Sequence, residues 1–315
     1  MKPRNNLKGS LILGTASLLW GLAFVAQSTA ADKVPPFVFN SLRSFIGAAF
    51  LFTLLVIVKR RARQPVFPTD RKARQTALVG GTICGILLTV SVNFQQFGLA
   101  FYPDGIATEA RAGFLTALYV ILVPILSVFF EKKIGLPVLG AVAVATVGIY
   151  LLCLTDGLGG IYLGDLLVFS CAISFSFHIM AIDRFAESVG GILLSMLQFT
   201  VCGILSGVLS LFTEEVVLGN IISAAPQILY LGIVSSGIAY TLQIVGQKYA
   251  EPAVASLSMS LECVFAALGG WLISSNRLSP REFLGCALVF SAIVLAQIPA
   301  FSKKTTQPHA KEGSE

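Results

Sequence analysis

Apolar residues in this chain run in blocks of about 20, the length an α-helix needs to cross a hydrocarbon core of roughly 30 Å. Charged residues and Gly or Pro separate one block from the next. Ten blocks are legible, at about 9–28, 36–58, 75–97, 105–130, 135–154, 163–182, 190–212, 226–247, 252–275 and 281–299. Only 12% of the residues are charged, about half the density that a soluble domain needs to hydrate its surface. The sequence therefore predicts an all-α membrane protein of ten transmembrane helices.

Lys and Arg favour the cytoplasmic side of a membrane. With the first block starting inside, seventeen of the 22 fall on that side. Seven of them crowd between the second and third blocks: Lys59, Arg60, Arg61, Arg63, Arg71, Lys72 and Arg74. Only Lys33, Arg277 and Arg281 fall outside, and Arg43 and Arg111 lie within blocks. Both termini are expected in the cytoplasm. The run after Lys2, Arg4 and Lys8 ends in Ser28-Thr29-Ala30, which resembles a leader-cleavage site. From Gly9 to Gln27 it is long enough to span, and it reads as the first transmembrane helix.

The chain also repeats itself. A shift of 155 residues sets Gly9-Ser10-Leu11 on Gly164-Asp165-Leu166 and Trp20 on Phe175. A shift of 148 sets Gln95 on Gln243 and Gly98 on Gly246. Two five-helix units follow, residues 9–154 and 163–299, with residues 1–8 and 300–315 as cytoplasmic tails. Five is odd, so the second unit must enter the membrane from the opposite face. Inverted repeats of this kind build secondary transporters, whose solute sits near the midplane where the repeats meet.

Other classes lack support. The net charge of +6 comes from residues between apolar blocks, with no basic–aromatic stretch suited to nucleic acid. The six cysteines lie within blocks at no metal-site spacing. No zinc-hydrolase, nucleophile-elbow or phosphate-loop motif occurs, and His178 and His309 are the only histidines. No enzyme activity, cofactor or metal is expected; a membrane-embedded enzyme or a non-transporting receptor is the alternative reading.

A set of short motifs carries a family resemblance. Trp20-Gly21 lies in the first block, and Leu42-Arg43 in the second after Pro35-Pro36. The fourth holds Ala112-Gly113-Phe114-Leu115-Thr116 and continues through Val123-Pro124 to Glu131-Lys132. In the second half, Ser260-Leu261-Glu262-Cys263-Val264-Phe265-Ala266-Ala267 runs on to Leu278-Ser279-Pro280 and Leu284-Gly285. In order and spacing these resemble the EamA-domain members of the drug/metabolite transporter superfamily, over about residues 9–299. The resemblance implies a ten-helix inverted-repeat carrier of the cell membrane that exports metabolites, amino acids or drugs. Two positions depart from the pattern: Glu262-Cys263 replaces a common Glu-Pro, and Ser275-Asn276 replaces a common Gly-Glu.

A charged side chain at the bilayer centre costs about 2.5–3.5 kcal/mol, so it faces the bundle interior and finds a partner there. Arg43, Glu109, Arg111, His178 and Glu262 are such residues. Arg43 lies about 10 Å deep from the outer end of its helix, on the side where Asn93, Gln95 and Gln96 end the third block. Arg43, Gln95 and Glu109 either line an outward vestibule that binds a charged group, or Arg43 and Glu109 form a structural ion pair. Glu262 lies near mid-depth, where burial disfavours a charged carboxyl. It is a candidate proton carrier, or else a neutral group bonded to Gln243 or Ser258, or the partner of a basic residue. His178 replaces the Ala23 of the first repeat, and either handles solute or protons or bonds a neighbouring helix. Trp20 is a wall of the solute cavity or core packing. Pro124 is expected to bend the fourth helix. A small-molecule solute, the lipid bilayer and a coupling proton are the expected partners.

Overall fold

The structure, a computed structural model, describes residues 5–31, 33–102, 108–129, 134–153, 162–265, 268 and 279–304. Among these the regular elements are all helical. They are α1 (Asn6–Ala31), α2 (Pro36–Arg61), α3 (Arg71–Ala100), α4 (Thr108–Ala117), α5 (Tyr119–Phe129), α6 (Leu136–Cys153), α7 (Leu163–Phe185) and α8 (Gly191–Thr213). The short α9 (Leu218–Ser223) follows, then α10 (Ala225–Tyr230), a π-helical stretch (Leu231–Ala239), α11 (Tyr240–Gln247), α12 (Pro252–Met259) and α13 (Pro280–Lys304).

Among the described residues, seven helices are long and apolar enough to cross a membrane. Three shorter apolar helices, Leu136–Leu151, Pro252–Phe265 and Phe283–Ala296, fall within the fifth, ninth and tenth blocks read from sequence. Bulky apolar side chains stand outward on many of them: Phe212 and Leu136 are each 82% exposed, and Phe129 and Leu211 each 78%. A water-soluble monomer rarely exposes such a surface, whereas acyl chains solvate it.

Helix ends follow local chemistry. Asp70 caps α3, its Oδ2 accepting from the Ala73 N–H at 2.7 Å. Pro36 opens α2, where its missing N–H costs nothing, and Lys59, Arg60 and Arg61 fill the last turn, where the helix dipole favours cations. No side chain of its own caps the start of α2. Glu214, at the end of α8, serves instead. Its two carboxylate oxygens accept from the Phe37 and Val38 N–H groups at 2.9 and 2.8 Å.

The main packing partners are α2 with α8, α6 with α13, α3 with α7 and α8, and α1 with α11 and α12. Several crossings rest on glycine, two of them at positions that the repeat relates. A Cβ on Gly164 would lie 2.9 Å from the Gly98 carbonyl oxygen, so α3 and α7 touch backbone to backbone. A Cβ on Gly9 would lie 3.1 Å from the Gly246 carbonyl oxygen, and α1 meets α11 in the same way. The pairs run antiparallel: Gly80 of α3 lies against Phe185, at the far end of α7, and Leu13 of α1 against Gly246.

Two helices break in the middle of the bundle. The fourth block is interrupted at Leu118, where the Ile121 N–H reaches back three residues instead of four. Pro124 sits inside α5, so the break falls six residues before the proline expected to cause it. The second break is at Ser260, after α12, where the Cys263 N–H likewise bonds the Ser260 carbonyl. It forms although Cys263 stands where the family pattern has proline. The thiols of Cys84, Cys171, Cys202, Cys263 and Cys286 are buried.

Candidate functional site

The two breaks border a cavity of about 50 Å³ inside the bundle. Helical spacing explains how α1 contributes to it: Trp20, Phe24 and Gln27 recur at intervals of four and three and share one face. Arg43 of α2, Gln95 of α3, Thr116 of α4 and Tyr119 of α5 complete the first half's share. The second half supplies Phe175 and Ile179 of α7, Ser235 of the π-helical stretch, Tyr240 and Gln243 of α11, Met259 of α12 and Glu262 beyond the break.

Five residues singled out in the sequence thus meet at one cavity: Trp20, Arg43, Gln95, Gln243 and Glu262. Arg43 is 3% exposed. Its Nη1 donates to Gln27 Oε1 at 3.4 Å, its guanidinium lies 5.7 Å from the Phe39 ring centre, and its Nε has no partner. Gln95 Nε2 donates to Thr116 Oγ1 at 3.3 Å. Glu262, 6% exposed, accepts from the Tyr119 hydroxyl at 3.0 Å. That bond joins the residues that follow the two helix breaks. Trp20 packs edge-on against Tyr240 with ring centres 4.8 Å apart, and its Nε1 has no hydrogen-bond partner. Gln243 Oε1 is also without one.

The other candidates lie elsewhere. His178 is fully buried one layer behind the wall, with Nε2 3.1 Å from Gln198 Oε1 of α8 and its ring near those of Phe175 and Tyr240. Ser258 bonds Ser10 rather than Glu262. Glu109 and Arg111 occupy the first turn of α4, and their side chains lie outside the described residues, as does any Arg43–Glu109 contact. Asn93 turns away from the cavity to bond Asn40 and Ser206, tying α3 to α2 and α8. Gln96 Nε2 donates to the Gln27 carbonyl oxygen.

Sequence reasoning missed Gln27, Thr116, Tyr119 and Tyr240. Gln27 sits beside the leader-like Ser28-Thr29-Ala30, and in the sequence it marks only the end of a span. For the tyrosines the signal was a phenol inside an apolar block, whose hydroxyl needs a partner when buried.

Comparison with known proteins agrees with this architecture. The EamA-like transporter family matches residues 7–154 and again residues 162–297. A protein named an uncharacterized transporter from Archaeoglobus fulgidus is 27% identical over 93% of this chain and 86% of its own length. The uncharacterized inner membrane transporter YedA of Escherichia coli (strain K12) is 22% identical over 89% of this chain and 88% of its own. The uncharacterized transporter YoaV of Bacillus subtilis (strain 168) is 22% identical over 89% and 94%. A protein known from its crystal structure, 22% identical, shares the fold with a TM-score of 0.73 over 92% of this chain and 98% of that one. The chain belongs to the EamA-like transporter family.

Proposed function

We propose that this protein is a secondary active carrier that moves a small solute by alternating access, binding it in the cavity between two inverted five-helix halves. One observation carries this reading. Residues that the internal repeat makes equivalent line the same cavity: Trp20 with Phe175, Phe24 with Ile179, and Gln95 with Gln243. A chance alignment of apolar sequence has no reason to choose pairs that converge on one space.

The glycine crossings support it. Gly9 and Gly164 are repeat equivalents, as are Gly98 and Gly246, and each pair's members stand in corresponding crossings, α1 on α11 and α7 on α3. Swapping the halves turns one crossing into the other. With the termini cytoplasmic, as the Lys and Arg distribution argues, the two crossings lie at opposite faces of the membrane, as an axis in the membrane plane requires. Export from the cytoplasm across the cell membrane is the direction that the resemblance implies, and Glu262 is the group proposed to carry a coupling proton.

Purified protein in sealed vesicles tests the carrier. Saturable solute counterflow, accelerated by unlabelled solute on the far side and driven uphill by a proton gradient, is expected. Non-saturable flux, or none for amino acids, nucleosides and cationic drugs from folded protein, overturns it.

A further inference from the structure

Resting on the carrier reading, we propose that Gln198 is a second solute-contacting residue, the counterpart of Arg43, which joins the cavity when it opens to the cytoplasm. The 155-residue shift that sets Trp20 on Phe175 also sets Pro36, the first residue of α2, on Gly191, the first of α8. Arg43 then falls on Gln198, and Gln27, its partner on α1, falls on Ile182 of α7. Arg43 and Gln198 each lie about 10 Å from the start of their helix. With the termini cytoplasmic, α2 starts at the outer face and α8 at the inner one.

The cavity breaks this symmetry at one place. Trp20 with Phe175, Phe24 with Ile179 and Gln95 with Gln243 border it from both halves. Gln27 and Arg43 border it as well, but Ile182 and Gln198 do not, and both are fully buried. The cavity thus leans toward the outer parts of α1 and α2, while the matching parts of α7 and α8 are packed shut. Inverted halves that trade conformations trade these roles, α7 and α8 parting as α1 and α2 close. The lining then passes from Gln27 and Arg43 to Ile182 and Gln198.

The polar chemistry of the two residues matches. Gln198 Oε1 lies 3.1 Å from His178 Nε2 of α7, and Gln198 Nε2 has no acceptor. Arg43 Nη1 donates to Gln27 of α1, and Arg43 Nε has no acceptor. A buried N–H donor without an acceptor is destabilising, and here one stands at the same repeat position in each half. An acceptor atom of the solute satisfies Arg43 in one state and the Gln198 amide in the other.

The test is the reach of a membrane-impermeant thiol reagent, trimethylammonioethyl methanethiosulfonate, to Gln198→Cys. It is applied to the outer face in intact cells and to the cytoplasmic face in inverted membrane vesicles. Ile182→Cys is the second variant, should the first not fold. Peptide mass spectrometry locates the label, and native Cys202 is the internal control. It is fully buried on α8 one turn past Gln198, and its counterpart Gly47 packs on Gly232 rather than on the cavity. Labelling at position 198 or 182 from the cytoplasmic face is expected at ten or more times the rate at Cys202, and ten or more times the rate from the outer face. A smaller excess over either overturns the proposal. A solute that shows counterflow, added at the cytoplasmic face, should slow this labelling threefold or more, and a smaller effect overturns the contact. These failures leave the carrier reading standing where the unaltered protein still shows saturable counterflow. Absence of counterflow for every solute refutes the carrier itself.

Discussion

Tyr119 and Glu262 meet across the bundle, hydroxyl to carboxylate at 3.0 Å, each just past a helix break in its own half of the chain. A helix that stops in mid-membrane leaves backbone groups that must be satisfied by neighbours or by a polar cavity. At the second break the Glu262 carboxyl takes its hydrogen bond from the Tyr119 hydroxyl. If Glu262 carries the coupling proton, Glu262→Gln should separate exchange from accumulation. Counterflow of solute across equal pH should persist, while accumulation driven by a proton gradient should cease. Gradient-driven uptake at the unaltered level would sink this role.

Tyr119→Phe removes the donor and keeps the ring. A hydrogen bond to a charged group contributes about 1.5–3 kcal/mol, so solute affinity or the unfolding midpoint should fall measurably. Binding titrations and thermal unfolding of the variant check this, with unchanged values in both showing the bond to be incidental.

Arg43→Gln should abolish transport while membrane abundance stays normal. The amide keeps a polar group at this position but carries no charge for a solute. Loss of the protein from the membrane, seen by blotting, would mean that Arg43 holds the helices together instead.

How much of this was legible in the sequence depends on the residue. Block lengths found the helices, and a repeat at two shifts found Gln95, Gln243, Trp20 and Phe175, which share one cavity. The two shifts also picked out Gly9 with Gly164 and Gly98 with Gly246, but only the structure joins them crosswise, Gly9 to Gly246 and Gly98 to Gly164. A linear pattern gives equivalence; contact depends on how the halves cross. Helical phase within an apolar block was not readable, because no polar face marks it, and so Asn93 and Gln95 looked alike while facing different neighbours. The break at Leu118 has no Gly or Pro at its position, and the π-helical stretch Leu231–Ala239 has no sequence mark at all.

The glycine crossings should tolerate no added bulk. At Gly98 a side chain would drive into Val168, and at Gly246 it would stand 2.7 Å from Leu13 Cγ. Gly98→Val and Gly246→Val should each destabilise by about 1–3 kcal/mol through overpacking, lowering the unfolding midpoint. Gly140→Ala, where a Cβ meets nothing within 4 Å, should be neutral or raise it, since alanine favours a helix by up to about 1 kcal/mol. Equal tolerance at all three positions would remove the crossings from the account of how the halves fit.

The Glu214 clasp links the start of α2 to the end of α8 through two N–H bonds. It replaces the cap that Pro35 cannot supply, and it places a negative charge where the helix dipole favours one. Removing an N-cap costs about 0.5–2 kcal/mol, so Glu214→Ala should lower the unfolding midpoint by the corresponding amount. Glu214→Gln keeps acceptor oxygen but neither the charge nor the second carboxylate oxygen, and should fall between. Glu215 is exposed beside it, and Glu215→Ala should change nothing. Thermal unfolding of the three variants in one detergent makes the comparison, and a Glu215→Ala loss as large as that of Glu214→Ala would assign the effect to net charge at the helix end rather than to the clasp.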